Sequence, residues 1–102
     1  MVAILEQNLT RIRALCVQCG VRKLELFGSA ATTRFDPLKS DYDFFVEFHN
    51  LGWNGSFKRY MNLKLGLEDL LGRDVDLIET KAVENPYFME VANVNREEIY
   101  AA

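Results

Sequence analysis

Asp41 and Asp43 open the apolar run "DYDFFVEF" with one residue between them. On a strand, residues two apart point to the same side, with Cα atoms about 6.5–7 Å apart. Two carboxylates so placed repel each other and lose hydration among apolar neighbours, which raises their pKa unless a cation compensates. Oxygen ligands of this kind suit Mg²⁺ or Mn²⁺. Two such ions about 3.5–4 Å apart form the usual clamp for in-line displacement at phosphorus. A third acid, Asp76 in "DVDLIE", lies between Val75 and Leu77, where a charge needs a reason to be. If the two strands are neighbours, Asp76 converges on the Asp41/Asp43 pair. It can then ligate the nucleophile-side metal and help take the proton from an attacking hydroxyl.

Gly28-Ser29 supplies a further part. Glycine permits close backbone approach at a strand end, a following helix N-terminus offers N–H groups to phosphate, and Ser29 adds a hydroxyl donor. No GxxxxGK[ST] pattern is present, which argues against a P-loop NTPase. Taken singly, Asp-x-Asp is commonly a solvated strand end, Gly-Ser a turn, and Asp76 a partner for Arg73. It is their order along the chain, each on a strand or at its end, that points to chemistry.

The elements that must position these residues follow from periodicity. Ile4, Leu5, Leu9, Ile12, Leu15, Cys16 and Cys19 recur at helical spacing and predict an amphipathic first helix closed by Gly20. "VRKLELF", residues 21–27, alternates Leu24 and Leu26 against Lys23 and Glu25 and reads as a strand. Residues 29–33 could form a short helix, and "FDPLKS" a loop, because Pro37 lacks a backbone donor. The second strand, 41–48, sets Tyr42, Phe44, Val46 and Phe48 on one face and Asp41, Asp43, Phe45 and Glu47 on the other. After a loop containing His49 and Trp53, Ser56 is placed to cap a helix through Leu71, ended by Gly72. A third strand spans 74–79, and Asn85-Pro86 is expected to start a terminal helix reaching about Tyr100.

The expected fold is therefore α/β (α+β), one domain over residues 1–102, with helices on a small mixed sheet of three to four strands. The helix between strands two and three is long enough for a parallel crossover, whereas the spacer between strands one and two leaves their pairing open.

Composition bounds the partners. At 102 residues, 49% hydrophobic and 26% charged, the chain has the make-up of an ordinary globular domain. Its apolar runs are too short to span a bilayer, and the alternating N-terminus does not read as a signal peptide, so a cytoplasmic setting is expected. A net charge of −3 with twelve scattered Lys and Arg argues against a nucleic-acid surface, though not against one small anion site. Cys16 and Cys19 form "CVQC", but they end a helical pattern rather than begin one, and His49 is the only histidine available to complete a zinc site. Packing in the core is the expected role.

Gly-Ser, a spacer, Asp-x-Asp and a later strand Asp resemble the pattern of the DNA polymerase β-like nucleotidyltransferase superfamily. The segments "LFGSAAT", "RFDPLKSDYDFFVEF", "LEDLLGRDVDLIE" and "ENPYF...IYAA" resemble its minimal form, the MNT or MntA-type antitoxins, across residues 20–102. The resemblance implies a palm-like nucleotidyltransferase fold, with Gly28 and Ser29 at the triphosphate of ATP and Asp41, Asp43 and Asp76 as ligands of Mg²⁺ or Mn²⁺. It implies a partner as well, a HEPN-family toxin, neutralised by binding or by transfer of AMP to a tyrosine. A non-catalytic antitoxin that acts by occlusion is the alternative, and self-association stays open. Two departures stand out: a spacer of eleven residues between Ser29 and Asp41, one longer than the commonest form, and Thr33 where many relatives carry glycine.

Overall fold

The computed structural model describes residues 3–27, 42–49, 56–79 and 96–102. The N-terminal helical pattern forms two segments, α1 (Ala3–Gln7) and α2 (Leu9–Gln18), rather than the single helix expected. Asn8 makes the break. Its side-chain amide donates to the Ile4 carbonyl at 2.8 Å, while its backbone N–H reaches the Leu5 carbonyl at 3.1 Å. The side chain thus takes the carbonyl that the backbone N–H would use in a continuous helix. At the other end Gly20, with φ 69°, closes α2 as expected.

Strands β1 (Val21–Phe27), β2 (Tyr42–Phe48), β3 (Val75–Glu79) and β4 (Glu97–Ala101) form one sheet in the order β3-β2-β1-β4. Helix α3 (Ser56–Leu71) carries the crossover from β2 to β3, and those strands pair in parallel. The pairing of β1 with β2 is antiparallel, and so is that of β1 with β4.

The terminal helix expected to reach Tyr100 is corrected at its end, because residues 97–101 are strand β4. The reason lies in a bulge. Leu24 pairs with Tyr100 and Glu25 with Glu98, so Ile99 is an extra residue. This lets the consecutive Ile99 and Tyr100 both pack on the core, a spacing that in the sequence lacks strand alternation. Pairing with β1 also satisfies backbone groups that the β1 edge would otherwise present unbonded.

The three described helices all pack on one face of the sheet. Leu5, Ile12, Cys16, Leu63, Leu67 and Leu71 from the helices meet Leu24, Leu26, Tyr42, Phe44, Val46, Val75, Leu77 and Ile99 from the strands in one buried cluster. Gly66 lies where α3 meets α2, and an added Cβ there would lie 2.7 Å from Leu15 Cδ2. Cys16 and Cys19 are buried and unbridged in this core, as the sequence suggested. Burial, together with the neighbouring Cys19, pushes the Cys16 thiol up to about 12.

The turn from α3 into β3 is held by Glu68. Its carboxylate accepts from Lys64 Nζ at 2.8 Å and from the Val75 backbone N–H at 3.0 Å. Gly72, at φ 68°, makes the left-handed exit from the helix. No described helix is long and apolar enough to cross a membrane.

Candidate active site

The face of the sheet away from the helices carries a second pattern. In register, Phe27 on β1 pairs with Asp43 on β2, and Asp43 pairs with Asp76 on β3. The next row is Glu25, Phe45 and Ile78. Laterally paired residues of a sheet share a face, and neighbouring strands lie about 4.8 Å apart. Asp43 and Asp76 therefore stand side by side, opposite the core that Tyr42, Phe44, Val75 and Leu77 enter. Asp76 is exposed and Asp43 half-buried.

The floor beside the two acids is apolar and closely packed. The Phe27 and Phe45 rings stack with centroids 4.0 Å apart, and Ile78 packs against them. Glu25 lies on the same face at 8% exposure and receives Arg96 Nη2 at 2.7 Å. The Arg96 guanidinium also sits 4.8 Å from the Phe45 ring centroid. Alternation alone had put Glu25 on the polar side of β1; the aromatic residues of that same side, Phe27 and Phe45, were the signal that it is covered.

At the start of the parallel ladder, the Tyr42 N–H donates to the Asp74 carbonyl at 3.3 Å. Burial raises the Tyr42 hydroxyl above its ordinary range, and the Arg73 guanidinium pulls it partly back.

Of the five residues singled out from the sequence, the structure brings Asp43 and Asp76 together. Asp41, Gly28 and Ser29 lie outside the described residues, as do Thr33, the short helix at 29–33, the "FDPLKS" loop and Trp53. His49 is exposed. Among the described residues no group of three His, Cys, Asp or Glu side chains assembles as a metal site. The donor set of Asp43 and Asp76 still fits a hard divalent cation, because Mg²⁺ is commonly held by one or two carboxylates with waters and substrate phosphates completing the shell.

A mixed four-stranded sheet with helices packed on it is an architecture shared with nucleotidyltransferase-like proteins. A solved structure of a candidate minimal nucleotidyltransferase superposes with a TM-score of 0.73 at 28% identity, covering 94% of this chain and 91% of that one. The chain belongs to the Polbeta family, polymerase beta nucleotidyltransferase, whose model matches residues 10–102. A protein of Methanocaldococcus jannaschii named as a candidate protein adenylyltransferase is 42% identical over 67 residues. That alignment covers 66% of this chain and 65% of the relative, so the chain spans slightly under two thirds of the relative's length. The fold is shared too by a chain from the complex of a tri-AMPylated HEPN toxin of Shewanella oneidensis with its MNT antitoxin. There the TM-score is 0.64 at 18% identity, covering 95% of this chain and 72% of that one.

Proposed function

We propose that the protein is a metal-dependent nucleotidyltransferase that moves AMP from ATP to a hydroxyl side chain of a HEPN-type toxin, and so serves as its antitoxin. The observation that carries this reading is the in-register placement of Asp43 beside Asp76 on the face of the sheet opposite the helix-packed core. The names borne by the relatives, a protein adenylyltransferase and a complex of an AMPylated toxin with its antitoxin, give it independent support.

In this reading Asp41, Asp43 and Asp76 hold Mg²⁺ or Mn²⁺, and Gly28 with Ser29 binds the triphosphate. A divalent cation bound there supplies charge stabilisation to the phosphates. The acceptor hydroxyl oxygen bonds to the α-phosphorus, the bond from that phosphorus to the bridging oxygen of the β-phosphate breaks, and pyrophosphate leaves. Asp76, exposed on β3, takes the hydroxyl proton.

The test uses ATP labelled at the α-phosphate, Mg²⁺ and any HEPN protein found encoded beside this chain. Label is expected on a toxin hydroxyl, and label placed at the terminal phosphate is expected to stay off it. Asp41→Asn should abolish transfer while leaving physical association in place, since losing a metal ligand removes the stabilisation on which displacement depends. Neutralisation at one-to-one stoichiometry with no label transferred by the wild type would overturn catalysis in favour of occlusion.

A further inference from the structure

Arg96 reaches the acidic face because of the bulge in β4. Counting back from the Leu24–Tyr100 pair without a bulge would set Ile99 against Glu25 and put Arg96 on the helix-covered side. With Ile99 inserted, Glu98 pairs with Glu25 and Glu97 with Leu26. One further step puts Arg96 beside Phe27, in the row that continues through Asp43 to Asp76. A single inserted residue exchanges the two faces of a strand, and bulges are a recurrent means of re-aiming a side chain near a working site. The bulge is itself anchored, since the Ile99 carbonyl accepts Arg13 Nε from α2 at 3.2 Å.

Having reached this face, Arg96 makes two contacts that bear on the site. Its guanidinium donates to Glu25 at 2.7 Å, with the two side chains 17% and 11% exposed, and it covers the Phe45 ring at 4.8 Å. Phe45 follows Asp43 by two residues on the same face and is stacked on Phe27, the β1 partner of Asp43. Ile78, which follows Asp76 by two, closes the same cluster. Each acid therefore has, as its same-face neighbour on its own strand, a residue of the floor to which Arg96 is attached. An ion pair this deeply covered is a poor means of adding stability, because desolvation offsets its attraction. What it does provide is a fixed geometry.

We propose that Arg96, aimed by the bulge at Ile99 and held by Glu25, is a positioning residue for the Asp43/Asp76 site, locking the Phe27–Phe45–Ile78 floor against which the two carboxylates are oriented for a divalent cation. The proposal rests on the metal-site reading given above. It makes the β4 strand, which contributes no ligand, a determinant of cation affinity.

The test is Mn²⁺ titration by calorimetry, with thermal melts in EDTA, on the wild type, Asp43→Asn, Arg96→Lys and the double variant Glu25→Gln/Arg96→Met. The double variant removes both charges, so no buried ion is left unpaired, and Met keeps apolar contact with Phe45. Its melting temperature in EDTA should stay close to that of the wild type while its Kd for Mn²⁺ rises at least fivefold. Arg96→Lys, which keeps the charge but loses the planar fork, should fall between the two. Should the double variant fail to fold, Arg96→Lys decides on the same criterion: a raised Kd supports the proposal and a wild-type Kd overturns it. Wild-type affinity in both variants, with Asp43→Asn impaired, overturns this proposal alone. No Mn²⁺ binding by the wild type overturns the metal site and this proposal with it.

Discussion

Asp43 and Asp76 are direct partners in the parallel β2–β3 ladder, one pair in from its start at Tyr42 and Val75. Like charges side by side on adjacent strands destabilise a sheet. The arrangement therefore costs stability unless a cation offsets it.

From this relationship the first prediction follows. Mg²⁺ that binds only the native state should raise Tm by mass action; at a hundred times its Kd the gain is about 2.7 kcal/mol, or roughly 10 °C or more for a chain of this size. Asp43→Asn should lose most of that increment, because one of the carboxylates that hold the cation is gone. Equal responses to Mg²⁺ in differential scanning fluorimetry of the two proteins would refute the site.

Glu68 should make the α3–β3 turn sensitive to acid. Its hydrogen bond from Lys64, and then that from the Val75 N–H, lower the carboxyl below the ordinary glutamate range. A folded pKa below the unfolded value means that the stabilisation is fully present above the unfolded pKa. It is lost as pH falls through the folded one. Lys64 mirrors this: bonded to Glu68, its pKa is raised, so its share is present below the ordinary lysine pKa and lost as pH rises through the raised value. Glu68→Gln keeps an acceptor for Val75, so its Tm should depend less steeply than that of the wild type on pH in the range below about 4.3. Parallel Tm profiles for the two proteins would exclude this role.

A branched side chain at Gly66 should force the Leu15 side chain to move. The Cβ position already lies 2.7 Å from Leu15 Cδ2 and 3.0 Å from Cδ1. Gly66→Val is expected to destabilise by about 1–3 kcal/mol in urea titration, as overpacking does. Adding Leu15→Ala should recover part of the loss, giving a favourable coupling in the double-mutant cycle. Additive losses would show that the α2–α3 contact is not set by this pair.

Cys16 and Cys19 should be inert in the native protein. Burial raises both thiols, Cys16 to about 12, and the thiolate is the reactive form. Alkylation by iodoacetamide at pH 8, followed by mass spectrometry, should label neither cysteine until denaturant is added. Rapid native labelling of either would contradict the core packing.

The sequence by itself determined the strands that bear the acids and the side of the sheet the acids occupy. Strict alternation in Tyr42, Phe44 and Val46 against Asp43 and Phe45 leaves one arrangement in which the apolar set is buried, so the parity of β2 is readable from residue types alone. The same holds for Val75 and Leu77 around Asp76, and for Gly20 and Gly72, whose positive φ suits a residue without a side chain. What only the tertiary structure decided is the state of residues 97–101 and, through them, the direction of Arg96. Ile99 and Tyr100 are adjacent, and no local periodicity distinguishes a bulged strand from a turn of helix. The choice falls to β4 because β1 offers it a ladder of backbone hydrogen bonds, and because the bulge sends both side chains into the core. Such pairing energy comes from a segment some seventy residues away, and so it is invisible to any window of sequence.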